Sequence, residues 1–172
     1  MRSFQQELID DLFDVLESIV GPRAVKVIKK RIEEKHLSSP PEVAYEVATD
    51  LEELFGKKGA YATLREVGRH VAKVLMETHP KEEWETLFKE GLKIMGYAEG
   101  VKREWDKACI CSCIFYPQFL QKEGLKPIEH PVCWMGLGFV EGFMKVFTGA
   151  HGVKFLERDY EKEQCWFELV KF

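Results

Sequence analysis

Five cysteines carry most of the chemistry open to this chain, and all lie in its second half: Cys109, Cys111, Cys113, Cys133 and Cys165. An odd number confined to one half is not a disulfide scaffold, which pairs its cysteines and spreads them. The clustering points to a metal, a reactive thiol or plain packing, because free cysteine is among the most buried residue types. On a strand, Cys109-x-Cys111-x-Cys113 would stack thiols along one face with neighbours about 7 Å apart. Zinc needs thiolates converging on one point at ~2.3 Å, usually from a C-x₂₋₄-C turn. Three strand thiols therefore reach a single ion only where the strand bends or ends. Cys133 stands elsewhere, at a helix start reading His130-Pro131-Val132-Cys133-Trp134-Met135.

These residues need elements to position them, and the chain supplies helices first. Ser3 with Gln6 opens one, and Leu8, Leu12, Val15, Leu16 and Ile19 keep helical spacing as far as Gly21-Pro22. A second carries Val25, Ile28 and Ile32 beneath a basic face at Lys26, Lys29, Lys30 and Arg31, which is a solvated face diluted by acids. Ser39-Pro40-Pro41 caps a third, which Gly56 ends. A fourth runs from about Ala60 to Thr78 with Gly68 inside it, a residue that a close helix or ligand would explain, although a simply tolerated glycine is the commoner case. A fifth follows Pro80 and closes at Gly96. Between Tyr97 and Phe115 the helical period weakens, and Val101, Trp105, Cys109, Cys111 and Cys113 share odd positions, as one strand face would. Pro131 opens a long helix to about Thr148, and Val153–Tyr160 and Gln164–Phe172 then read as a hairpin. The predicted fold class is α+β, with a helical N-terminal layer, a small antiparallel sheet and a long C-terminal helix preceding a β-hairpin. In domain terms this is a helical extension over residues 1–50 and a ligand-binding unit over 51–172.

Bulk properties exclude several classes. The chain has 172 residues, 45% hydrophobic and 31% charged, which is globular composition. A net charge of −4 with interspersed signs leaves no basic field to hold nucleic acid by counterion release. No run approaches the ~18 apolar residues of a membrane span. The acidic start, MRSFQQELIDD, is unlike a signal peptide, so the expected location is cytoplasmic.

The last helix has Gly136, Gly138 and Gly142 on it, with spacing unlike a nucleotide fingerprint and no strand before it. These glycines strip one face of side chains and leave Phe139, Val140, Phe143 and Phe147 on the rest. Such a face admits another helix or a flat apolar ligand. The segments Pro131-Val132-Cys133-Trp134-Met135, Phe147-Thr148-Gly149, Phe155-Leu156-Glu157 and Cys165 with Phe167-Glu168-Leu169-Val170 together resemble the 4-vinyl reductase domain family. They are most similar to the branch found in effector-sensing domains of phenol- and xylene-responsive activators. Leu54-Phe55-Gly56 and Arg65-Glu66-Val67-Gly68-Arg69-His70 extend the resemblance upstream.

That resemblance implies a small α+β fold shared with vesicle-tethering subunits, an apolar or hydrocarbon ligand, and a homodimer. It also implies zinc beside the pocket, with ligands falling on Cys133, Glu157 and Cys165. A fourth position, cysteine in the family, is Tyr160 here, so Cys113, Cys111 or His130 would have to complete the set. The pocket is expected to be lined by Trp134, Gly138, Phe139, Gly142, Phe143 and Trp105. The function expected is small-molecule binding with a sensory or regulatory role, no catalytic residue, and a separate output partner, since no DNA-binding segment accompanies the module. Two alternatives stand beside it. One is a hydrolase similar to aminothiazoline-carboxylate hydrolases, with Cys113 as nucleophile and His130 as base. The other is a dimeric lipid-binding scaffold.

Overall fold

The computed structural model describes residues 2–171. Helix α1 (Phe4–Val20) is capped by the Ser3 side chain, which accepts from the Gln6 N–H, and α2 (Pro22–Glu34) follows with its proline in the first turn. Helix α3 (Pro40–Thr78) starts at a Ser39 cap and is bent at Gly56, whose φ of 80° is open to glycine at little cost. The two helices expected here are thus the halves of one kinked rod. Helix α4 (Trp84–Met95) ends on left-handed Gly96, and α5 (Pro131–Thr148) ends on left-handed Gly149.

The sheet has four antiparallel strands, β1 (Gly100–Arg103), β2 (Lys107–Cys111), β3 (Gly152–Asp159) and β4 (Gln164–Val170), in the order β1-β2-β4-β3. The α+β architecture read from the sequence is the one observed: helices first, then a small sheet, with α5 leading into the β3–β4 hairpin. Residues 101–113, however, are not one strand. The chain turns at Glu104–Asp106, so β1 and β2 form a hairpin with Val101 opposite Ile110 and Arg103 opposite Ala108. Trp105 sits on that turn and is 84% exposed.

Helix α5 lies between α3 and the sheet. Its glycine face is filled by a helix. A Cβ on Gly138 would overlap the Arg65 carbonyl oxygen, and one on Gly68 would overlap the Met135 carbonyl and come within 2.7 Å of the Phe139 nitrogen. Backbone therefore packs on backbone where α3 crosses α5. The ring of Tyr97 occupies the space over Gly136, and Ala72 that over Gly142.

One buried charge ties three elements together. Glu141 of α5, 3% exposed, accepts from Arg65 Nε at 3.0 Å, Arg65 Nη2 at 2.5 Å, Arg69 Nη1 at 2.8 Å and the Val153 N–H at 2.8 Å. Burial works against ionisation, but these donors hold its carboxyl below the usual range. The N-terminal helices share the same core: Leu8 and Leu12 of α1 meet Val71, Met95 and Phe139 around an apolar void of about 30 Å³.

Candidate functional site

The inner face of a strand alternates with its outer face, and here the alternation decides which residues meet. In β4, Cys165, Phe167 and Leu169 are buried. Their partners in β2 are Ala108 and Ile110, paired with Phe167 and Cys165. Cys109 and Cys111 therefore belong to the opposite face, across from Trp166 and Gln164. Their sulfurs are 3.5 Å apart, and burial with the Cys111 contact pushes the Cys109 thiol up to about 12.

Between the inner face of the sheet and α5 lies a cavity of about 40 Å³. Ile110, Phe155, Cys165 and Phe167 line it from the sheet, Cys133 and Leu137 from α5, and Tyr97, Cys113 and Phe115 from the connections. Three of the candidate thiols thus line one cavity. Ser112, with φ of 64°, breaks the strand after Cys111 and carries Cys113 round to the inner side. Burial pushes Cys133 up to about 12 and Cys113 up to about 11, so both are neutral thiols at pH 7. Burial raises Cys165 too, against the pull of Arg158.

The other residues of the expected metal set are elsewhere. A bulge between Phe155 and Glu157 resets the register, so Glu157 pairs with Trp166 and Arg158 pairs with Cys165. Glu157 is exposed on the outer face, while Arg158 takes the inward place beside the thiols. Among the described residues, no three His, Cys, Asp or Glu side chains are grouped so as to hold a metal ion. A cation would also face the guanidinium of Arg158. As arranged, the residues do not fit zinc.

Arg158 is the residue that pattern reading missed. It is 8% exposed, donates from Nη1 to the Cys165 sulfur at 3.3 Å, and lies 4.8 Å from the centre of the Tyr116 ring and 6.0 Å from that of Tyr160. Its Nε is buried without a hydrogen-bond partner among the described residues. A buried unpaired ion costs several kcal/mol, and a cation–π contact returns ~0.5–2 kcal/mol. Nothing in the local sequence marks Arg158 except its neighbour Glu157; the one-residue bulge decides which of the two turns inward.

His130 is a cap. Its Nδ1 accepts from the Val132 N–H at 3.1 Å, its Nε2 is 3.2 Å from the Thr49 hydroxyl, and its ring stacks on Tyr45 at 4.3 Å. Both ring nitrogens are engaged, and burial lowers its pKa to about 4. The Cys113–His130 nucleophile and base pair is not assembled.

The expected pocket residues are dispersed. Gly138 and Gly142 lie under α3. Phe139 and Phe143 pack on Phe88 in the core, and Trp105 is on the exposed turn. Trp134 stacks on Tyr61 and donates to the Ile128 carbonyl at 2.9 Å. It also borders an open outer groove with Arg65, Lys154 and Val170. No helix among the described residues is long and apolar enough to cross a membrane. No protein-family model, no curated protein and no solved structure matches this chain.

Proposed function

We propose that this protein binds a small apolar molecule in the cavity between the sheet and α5, and that binding, not turnover, is its activity. The observation that carries this is the wall of that cavity: apolar side chains and neutral thiols from five separate segments, converging on space that none of them fills. At about 40 Å³ the space is near that of a single water, whereas a dry cavity that takes up benzene is on the order of 150 Å³. The ligand must therefore displace part of the wall.

The segment able to move is 112–130. It is outside the sheet ladder and contains a π-helical turn at Tyr116–Leu120 and a 3₁₀ turn at Gln121–Glu123. It also holds Ser112 and the β-branched Ile128 at positive φ, a conformation that stores strain and recurs at functional sites. Cys113, Phe115, Pro127 and Ile128 of this segment border the cavity. Rearrangement there on binding would give a separate partner something to read, which suits a sensory or regulatory role.

Native mass spectrometry of the protein as isolated tests the reading, with Cys133→Leu as the comparison because it places a larger apolar side chain in the cavity. An organic mass on the wild type that Cys133→Leu lacks is the expected result. A bare wild-type chain that also fails to bind benzene would contradict it. A second reading, zinc on Cys113, Cys133 and Cys165, starts from their lining one cavity, although as arranged they are not grouped to hold an ion. It requires the thiols to close up and ionise, and it predicts a mass excess of one zinc instead.

A further inference from the structure

We propose that Arg158 makes this cavity a site for a small apolar monocarboxylate, its apolar body among Ile110, Leu137 and Phe167 and its carboxylate at the guanidinium. The inference rests on the reading that the cavity admits a ligand, and it names the class of that ligand.

Arg158 is buried, at 8% exposure, yet among the described residues no Asp or Glu pairs with it and its Nε has no hydrogen-bond partner. Its only polar contact among the described residues is with a thiol, the Cys165 sulfur at 3.3 Å, which is a weak acceptor. The contrast with the other buried charge of this half is direct: Glu141 is met by two arginines and a backbone N–H. A protein that satisfies one buried ion so fully and leaves the other without an anion has a place for the anion to come.

Geometry supplies the rest. The tyrosine rings of Tyr116 and Tyr160, 5.3 Å apart at their centres, stand together against one side of the guanidinium. Cys165, which the guanidinium touches, is itself part of the cavity wall, and Cys113 of that wall feels the same positive charge. The apolar cavity and the unpaired cation are thus adjacent, as the tail and head of an apolar acid require. A planar carboxylate matches the guanidinium fork with two parallel hydrogen bonds, a match that an amide or an alcohol cannot reproduce.

Calorimetric titration of the full chain with benzoate and hexanoate, each against its own amide, tests this on wild type, Arg158→Met and Arg158→Lys. The acids are expected to bind wild type at least 10-fold more tightly than the amides. Arg158→Met should erase that preference while leaving amide affinity unchanged, and Arg158→Lys should keep part of it. The ligand-free Arg158→Met protein should melt at or above the wild-type temperature, because it loses an unpaired buried cation; a purely structural arginine would lower it. Acid and amide binding wild type alike would overturn the inference and leave the cavity reading standing, a comparison that needs no variant to fold. Persistence of the preference in Arg158→Met would overturn it too. Failure of both acids and both amides to bind would overturn the cavity reading, and the inference with it.

Discussion

His130 shows how a residue type that suggests chemistry can be explained by position alone. Its place before Pro131 and Val132 makes it the N-cap of α5, and the cap uses Nδ1. Burial then lowers its pKa to about 4 from 6.5. The unfolded chain takes up a proton near pH 6.5 while the folded one does not, so this residue withdraws stability as pH falls from about 6.5 to about 4. His130→Asn retains a good cap and removes the titration. Melting curves of the two proteins from pH 7.5 to 5 should diverge, wild type losing about 2 kcal/mol relative to the variant. Parallel curves would show that the ring is not held neutral. The resemblance named Cys133 and Cys165, with Cys113 among the residues to complete their set, and these three line one cavity. It could not separate Glu157 from Arg158, because a bulge between Phe155 and Glu157 inverts the faces of everything after it.

Elements were more legible than faces. Caps at Ser3 and Ser39, the stop at Gly21-Pro22, and the left-handed ends at Gly96 and Gly149 all leave local marks in the chain. The parity of β2 leaves none. With Trp105 taken as part of a strand, the odd positions line up as its buried face; with Trp105 on a turn, Ala108 and Ile110 become the inner residues. The glycines of α5 were ambiguous for a different reason: a bare helix face suits a ligand or another helix equally, and only the course of α3 distinguishes them. That crossing is the most sensitive joint in the fold. Gly138→Ala pushes a methyl group into the Arg65 carbonyl, which neither rod can avoid without moving. We expect a loss of about 3 kcal/mol, a drop in melting temperature of roughly 6–12 °C. A thermal scan showing no change would mean that the helices are further apart than described.

At the scale of the whole molecule, two layers do different work. The α3–α5 layer is closed by backbone contact and fixed by Glu141 between Arg65 and Arg69. The layer between α5 and the sheet is looser: it keeps a void, neutral thiols and an arginine with no anion beside it among the described residues, and its border includes a segment with two non-glycine residues at positive φ. Our proposal puts the ligand in the second layer. The most direct test is to locate a bound apolar probe, by nuclear Overhauser contacts between benzene and the methyl groups of the protein. The account predicts contacts to the methyls of Ile110 and Leu137 and to the Cys133 side of α5, with shifts along residues 112–130. Contacts confined to Val170 and the other walls of the outer groove beside Trp134, with Ile110 untouched, would contradict it.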